Sequence, residues 1–266
     1  MTPSVITSRV RQKQIAQLIS GGKRLDGRGL TDYRKVQLEK GIIERAEGSA
    51  RVRLGKTEVM VGVKIEVGEP FSDTPNQGVL TVNAELVPLA SPTFEAGPPG
   101  EDSIELARVV DRGIRESEAI DMEKMCIVPG KKVLVVFVDV YVLNHDGNLI
   151  DASAMAALAA LLTAKVFNYE VKDGEVKIKP GYTQLPVSNY PVAVTLAKIQ
   201  DQLVADPSLE EEEVMDARLT VTLEKDGKVC ALQKGGSGVF TTEEILEAAK
   251  MAQEKAGDLR KIVVEG

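Results

Sequence analysis

A long apolar strand followed closely by an alanine-rich helix constrains the fold more than any other part of the sequence. Residues 132–143 are a run of Val, Leu and Phe bounded by turns, which is typical of a buried strand. After the turn at Asp146-Gly147, residues 152–167 carry small side chains on all faces, which predicts a helix packed tightly between other elements. Asp151 is predicted to cap this helix. The fold must therefore enclose this helix.

Periodic apolar residues predict strands on both sides of this segment. Between residues 36 and 67, apolar side chains recur with period two, and Gly48 and Gly55 are predicted to be turns. Hairpin turns are predicted at Asp173-Gly174 and Asp226-Gly227. Further strands are predicted at residues 79–89, 132–143, 171–178, 192–198, 219–223 and 229–232.

Three more helices are predicted, at residues 5–20, 102–119 and 243–256. Asp102 or Ser103 is predicted to cap the second of these, and Thr241 or Thr242 the third. The second has a predicted apolar stripe of Ile104, Ala107, Val110 and Ile114. The order of strands and helices predicts an α+β fold with mixed sheets packed against helices.

The segment 180–191 is rich in Pro, Gly, Ser and Asn, which predicts a link between two halves. We therefore expect an N-terminal helix and arm at residues 1–31, a first domain at 32–180 and a second domain at 181–266.

The charge and composition limit how the chain can bind nucleic acid. The 266 residues carry a net charge of -7 at pH 7, so a broad basic field is absent. Aromatic residues make up 4% and there is no Trp, so base-stacking platforms are poorly supplied. Any contact with RNA must come from a local arginine patch or from a partner.

Several other classes of site are excluded by the composition. His145 is the single histidine, and Cys126 and Cys230 are far apart, so we expect no metal site, no cofactor and no disulfide framework. No apolar run reaches the roughly 18 residues of a membrane span, and the N-terminus has no signal-peptide core. The sequence predicts a cytoplasmic protein without a membrane partner.

A stripe of arginines is a candidate for contact with a nucleic-acid backbone. Arg108, Arg112 and Arg115 have i, i+4, i+7 spacing and share one face of the second predicted helix. Guanidinium groups in line suit a phosphodiester backbone, because each can bind a phosphate bidentately. Spacing alone favours the alternative, a salt-bridged surface with the pairs Glu105–Arg108, Asp111–Arg115 and Arg112–Glu116.

An ordered set of motifs resembles the RNase PH family. Arg24-Leu25-Asp26-Gly27-Arg28 resembles the entry motif of exosome ring subunits, and Gly48-Ser49-Ala50 with Gly55-Lys56-Thr57-Glu58-Val59 resembles the first hairpin of that fold. Asp206-Pro207, the run Glu210–Glu213 and Met215-Asp216-Ala217 look like the second half of the family's non-catalytic branch. The resemblance covers roughly residues 24–256.

The resemblance implies an RNase PH-like fold, built from ribosomal protein S5 domain 2-like βαβ units. It implies a hexameric ring in which catalytic and non-catalytic chains alternate, with a cap of S1- and KH-type RNA-binding subunits. This chain is expected to be the non-catalytic subunit in 3′-to-5′ RNA degradation, which structures the site of its catalytic partner. Arg108 and Arg112 match positions that help to hold the RNA; Arg115 rests on spacing alone.

The resemblance also implies that the chain's own active site is degenerate. In active relatives the turn before the alanine-rich helix carries a phosphate-binding arginine, and here that position is Ile150. Isoleucine offers neither a charge nor a donor, and the next residue, Asp151, adds a negative charge that would repel phosphate.

Two acidic positions match the aspartates that active relatives carry six residues apart. Here they are Glu210 and Asp216. One interpretation is a residual acid pair. The other, which the missing arginine favours, places Glu210 in a solvated acidic face formed by Glu210–Glu213 and Asp216 in a structural hydrogen bond.

Two other functions remain open at this point. A purely architectural ring component would make no contact with RNA. A self-sufficient phosphorolytic exoribonuclease would need some arginine other than one at position 150 to hold phosphate.

Overall fold

The computed structural model describes residues 5–172 and 174–266. Its helices are α1 (Val5–Ser20), α2 (Glu101–Glu116), α3 (Leu149–Thr163), α4 (Leu209–Glu212) and α5 (Thr242–Glu265). Strands β1 to β6 are Val36–Lys40, Gly48–Leu54, Thr57–Gly68, Val79–Leu86, Cys126–Val128 and Lys132–Asn144. Strands β7 to β12 are Lys165–Lys172, Glu175–Gln184, Val192–Ile199, Gln202–Ala205, Ala217–Leu223 and Val229–Gly235. None of the described helices is both long enough and apolar enough to cross a membrane.

Two sheets enclose α3. The first has the order β1-β2-β3-β6-β4, with β5 at the start of β6, and β4 runs parallel to β6 while the other pairs are antiparallel. The second sheet is antiparallel, with the order β10-β9-β11-β12. α3 packs against β2 and β3 of the first sheet and against β9 of the second. This arrangement confirms the predicted α+β fold with an enclosed helix.

Close packing against α3 explains why Gly48 is a glycine. Gly48 was predicted to be a turn, which is wrong: it begins β2 and is paired with Val63. A Cβ at this position would lie 2.3 Å from the carbonyl oxygen of Ala160 in α3. The small residue is therefore required by the approach of helix to sheet rather than by a turn.

The two central helices begin at residues other than those predicted. Asn148, in the left-handed conformation with φ 52, is the N-cap of α3, and its side chain accepts a hydrogen bond from the backbone N–H of Asp151. Asp151 is therefore not the cap but a buried residue of the first turn. α2 follows Gly100 without a side-chain cap, so Asp102 and Ser103 do not cap it either. Ile104, assigned to its apolar stripe, is 49% exposed.

The C-terminal helix begins where it was predicted but is longer than predicted. Thr241 forms a capping box with Glu244, as predicted, and α5 then continues to Glu265. β10 and α4 are too short to produce a periodic signal and were not predicted.

β7 and β8 form the predicted hairpin. Asp173, in the predicted turn of this hairpin, lies outside the described residues. β8 extends past residue 180 to Gln184.

A buried cluster of ion pairs ties the N-terminal arm to the second half. Arg24 donates to both carboxylate oxygens of Glu211, at 2.8 and 2.5 Å. Arg28 and Arg34 both donate to the buried carboxylate of Asp206. These contacts fix the loop that precedes α4, and they account for the arginines of the Arg24–Arg28 motif.

Candidate functional site

The exposed side of α2 carries the three predicted arginines, which we call the α2 arginine face (Arg108, Arg112 and Arg115). The helix buries its other side, with Leu106 and Val110 almost completely covered. Arg108 and Arg112 form no ion pair with any described residue, and Arg112 donates only a long hydrogen bond, 3.4 Å, to Gln233. Both side chains line two grooves, one on each side of the helix, of about 370 and 300 Å³.

Arg115 is held by the protein itself. Its guanidinium donates to both carboxylate oxygens of Asp111, at 3.0 and 2.7 Å, and to the carbonyl oxygen of Leu80 at 3.1 Å. The hydrogen bonds to Asp111 raise the pKa of Arg115, although burial lowers it. Leu80 belongs to β4, so this arginine joins the helix to the edge strand.

Only one of the three predicted surface pairs forms on this helix. Asp111 and Arg115 pair, but Glu105 turns to Arg218 of β11, at 2.5 Å. No ion pair between Arg112 and Glu116 is present among the described residues. The guanidinium groups of Arg108 and Arg112 are therefore available to an external anion.

A cleft of about 230 Å³ lies at the N-terminus of α3, and we call it the α3 cleft. Its lining residues are Leu86, Phe94, Asp102, Glu105, Leu106, His145, Asn148, Leu149, Ile150, Thr195, Glu212, Met215 and Arg218. Three of these residues, Asp102, Glu105 and Glu212, carry carboxyl groups. One residue, Arg218, carries a guanidinium, which is already paired with Glu105. Burial lowers the pKa of His145, so its ring adds no positive charge at neutral pH. The cleft is therefore acidic.

Ile150 and Asp151 follow each other in α3 but have different surroundings. Ile150 is 7% exposed and lines the cleft with an apolar side chain. Asp151 is fully buried, and its carboxylate accepts hydrogen bonds from Tyr33, Asn148 and both donors of Thr195, at 2.7 to 3.0 Å. Burial raises its pKa to about 6. It joins α3 to β9 rather than facing the cleft.

Glu212 is the functional candidate that the sequence analysis missed. Its Oε1 accepts a hydrogen bond of 2.8 Å from the backbone N–H of Asn148, the N-cap of α3. Backbone N–H groups at a helix N-terminus commonly bind anions. Here one of them is already bound to a side chain of the chain itself. Burial raises the pKa of Glu212 to about 7, against the opposing effects of the Asn148 hydrogen bond and of Arg218 and Arg34.

Glu210 and Asp216 do not line the α3 cleft. Glu210 is partly exposed and forms an ion pair with Arg11 of α1. Asp216 is exposed, and its Oδ2 accepts a hydrogen bond of 2.8 Å from the backbone N–H of Gln200. Each side chain therefore has a structural partner outside the cleft.

Replacing Glu212 with Gln is expected to remove a pH dependence of stability. Because its folded pKa of about 7 lies above the reference value of 4.5, the folded state binds more protons between these values, and stability falls as pH rises through them. Gln keeps the acceptor for Asn148 without titrating. Between pH 8 and pH 5 we expect the free energy of unfolding of the wild type to rise by on the order of 2 kcal/mol relative to that of the variant.

Urea unfolding of both proteins at several pH values measures this difference. A difference that stays constant from pH 8 to pH 5 would mean that the Glu212 carboxyl titrates as it does in water.

Comparison with known proteins agrees with this architecture. Residues 32–166 match the model of domain 1 of the 3′ exoribonuclease family, RNase PH, and residues 189–255 match that of domain 2. The chain therefore belongs to the RNase PH family of 3′ exoribonucleases. Among its relatives is the exosome complex component Rrp42 of Pyrococcus horikoshii, 57% identical, with 100% of this chain and 97% of the relative covered.

Solved structures give the same result. A chain of the Archaeoglobus fulgidus exosome with RNA bound to the active site has a TM-score of 0.89 and 47% identity, covering 96% of this chain and 98% of that one. A chain of an archaeal exosome core has a TM-score of 0.85 and 43% identity, covering 97% and 98%. The RNase PH-like fold that the motifs implied is confirmed.

Proposed function

We propose that this chain is the non-catalytic subunit of an exosome ring that degrades RNA from its 3′ end. In this role it pairs with a catalytic RNase PH-like subunit, structures the partner's active site and contributes arginines that hold RNA. The names of its relatives support the assembly, since the Pyrococcus protein is an exosome complex component and the Archaeoglobus structure contains RNA.

The α3 cleft is the observation that carries the proposal of inactivity. Phosphorolysis needs a site that holds inorganic phosphate beside the anionic RNA chain, which requires cations and free backbone donors. Here Ile150 occupies the position that the family resemblance assigns to a phosphate-binding arginine. The side chain of Glu212 occupies the N–H of Asn148, Glu105 holds Arg218, which carries the one guanidinium of the cleft lining, and Asp102 adds negative charge. Phosphate entering this cleft would meet no free guanidinium among the lining residues.

The α2 arginine face supports the proposed contact with RNA. Arg108 and Arg112 are exposed, line adjoining grooves and form no ion pair among the described residues. The architectural alternative makes no use of these two guanidinium groups, which are free to bind phosphate because the pairs Glu105–Arg108 and Arg112–Glu116 do not form among the described residues. Because Arg115 is already paired with Asp111, we assign it a smaller contribution to RNA binding than Arg108 and Arg112.

The remaining features of the proposal come from the family resemblance. They are a hexameric ring of alternating chains and a cap of S1- and KH-type RNA-binding subunits. From the sequence patterns we retain a cytoplasmic location and the division into an arm at residues 1–31 and domains at 32–180 and 181–266.

Reconstitution with a catalytic partner tests the proposed function. The purified chain, incubated with inorganic phosphate and 5′-labelled single-stranded RNA, should release no nucleoside diphosphate. The partner chain with this chain added should shorten the RNA from its 3′ end in a phosphate-dependent reaction, faster than the partner alone. Release of nucleoside diphosphate by the isolated chain would instead identify a self-sufficient phosphorylase, and an unchanged partner rate would contradict the assigned role.

A further inference from the structure

Arg218 lies near the start of β11, and its side chain crosses Gly235 of the neighbouring strand β12. The two residues are register partners in this antiparallel pair. A Cβ at position 235 would lie 2.9 Å from Nε and 3.0 Å from Cζ of Arg218, so a methyl group there would push the guanidinium aside. The φ of Gly235 is not in the left-handed region, so its backbone conformation does not require glycine. The glycine is explained by the arginine that lies over it.

The guanidinium of Arg218 reaches from the second sheet to α2. One of its terminal nitrogens lies 2.5 Å from Oε2 of Glu105, and both side chains are partly shielded from water. The Nε of Arg218 is buried and has no hydrogen-bond partner among the described residues. Because a buried donor without a partner costs free energy, the guanidinium is not placed to satisfy its own hydrogen bonds. Its position is instead set by the carboxylate of Glu105.

Glu105 is placed where it would otherwise neutralise Arg108. It lies three residues before Arg108 on α2, and a glutamate one turn N-terminal to a basic residue is the favourable order for a helix-surface pair. Glu105 lines the groove of about 300 Å³ beside Arg108 and Arg112 as well as the α3 cleft. Asp111, the other carboxylate within one turn of Arg108, follows it in the less favourable order and is paired with Arg115.

We propose that Arg218 is a positioning residue for RNA binding, which holds the carboxylate of Glu105 away from Arg108. Gly235 serves the same purpose, because it leaves room for the guanidinium. A carboxylate released from Arg218 would weaken RNA binding in two ways, by pairing with Arg108 and by repelling the phosphate that Arg108 holds. This inference rests on the proposed function, in which Arg108 binds RNA, and adds to it a residue of the second sheet that acts through Glu105.

Replacing Arg218 with Met tests the inference in the complex of this chain with its catalytic partner. We expect the dissociation constant for labelled single-stranded RNA, measured by fluorescence anisotropy, to rise about three- to tenfold, since partly exposed charges interact modestly. The slope of log affinity against log salt should become shallower by up to about 0.7, the contribution of one phosphate contact.

Lys228→Met is the matched control for the loss of a cation. Lys228 pairs with Asp226 in the turn of the same β11–β12 hairpin, at the opposite end from Arg218. This variant removes one positive charge and one ion pair without releasing Glu105, so it should leave both the affinity and the salt slope unchanged.

Two further variants decide whether Arg218 acts through Glu105. Arg218→Met with Glu105→Gln removes the carboxylate that Arg218 holds, so we expect this double variant to regain the affinity and slope of wild type. Gly235→Ala keeps every charge but displaces the guanidinium, so it should weaken RNA binding by a smaller factor in the same direction. Sedimentation velocity checks that each variant assembles with the partner as wild type does.

The outcomes separate this inference from the proposed function. A double variant as weak as Arg218→Met would mean that Arg218 contacts RNA itself, which would overturn the positioning role. Unchanged affinity of Arg218→Met, in a complex that Arg108→Ala with Arg112→Ala weakens, would also overturn it while the proposed function stands. If the two alanines change nothing, the proposed RNA contact fails and this inference fails with it.

Discussion

Replacement of Arg24 with Met is expected to lower the free energy of unfolding by about 3–5 kcal/mol, the loss typical of breaking a buried ion pair from one side. Arg24 is 4% exposed and Glu211 is 3% exposed. The guanidinium also donates to the carbonyl oxygens of Ala205 and Asp206, both at 2.8 Å. Methionine fills a similar volume but removes the guanidinium donors from a buried carboxylate and from two carbonyls. Equilibrium urea unfolding followed by circular dichroism measures the loss.

A double-mutant cycle separates the pair from the packing. Glu211→Gln neutralises the carboxylate and keeps an acceptor for the backbone N–H of Ser208. The double variant Arg24→Met with Glu211→Gln should therefore recover part of the stability that Arg24→Met alone loses. Arg53→Met, which breaks the exposed pair with Glu58, is the control and should change stability little, because water screens such pairs. A loss for Arg24→Met no larger than for Arg53→Met would contradict the structural role of the cluster.

The strongest local patterns in the sequence predicted the centre of the fold. The apolar run at residues 132–143 is β6, and most of the alanine-rich segment is the enclosed helix α3, although residues 165–167 of the predicted helix begin β7. Thr241 was identified as a helix start because its capping box with Glu244 is complete within four residues. Asn148 was not, because its role depends on a left-handed turn that no neighbouring residue type demands.

The run Glu210–Glu213 shows where local pattern fails. Four identical residues in a row carry no periodic signal, and the sequence analysis assigned them to a solvated face, which is wrong for two of them. The single turn of α4 directs Glu211 to Arg24 and Glu212 to the N-terminus of α3. Glu210 pairs with Arg11, and Glu213 is exposed, as predicted for the run. The direction of each of these three paired glutamates is therefore determined by a partner far away in the sequence.

The α2 arginine face was found from spacing, but its pairing depends on the tertiary fold. Glu105 lies three residues from Arg108, which predicted a helix-surface pair. β11 instead brings Arg218 to Glu105, and that competition frees Arg108. Spacing alone therefore identified the candidates, whereas only the fold distinguishes the unpaired Arg108 and Arg112 from the paired Arg115.

The double variant Arg108→Ala with Arg112→Ala is expected to weaken RNA binding by the complex of this chain with its catalytic partner. Two exposed charge-assisted phosphate contacts at about 1.5 kcal/mol each contribute about 3 kcal/mol together, so the dissociation constant should rise on the order of 100-fold. Because each neutralised phosphate of a single strand contributes about 0.7 to the slope of log affinity against log salt, the slope should become shallower by about 1.4. Fluorescence anisotropy with labelled single-stranded RNA over a series of salt concentrations measures both quantities.

Two further variants decide whether the guanidinium groups act on RNA directly. Arg108→Lys with Arg112→Lys keeps both charges but loses bidentate binding, so it should keep the salt slope and recover only part of the affinity. Arg115→Ala removes a guanidinium that Asp111 and the carbonyl of Leu80 already hold, so its effect on the slope should be much smaller. The double alanine variant must still assemble with its partner, which sedimentation velocity checks. An unchanged affinity and slope in that assembled complex would leave the chain a purely architectural role, since RNA would then be held without the α2 arginine face.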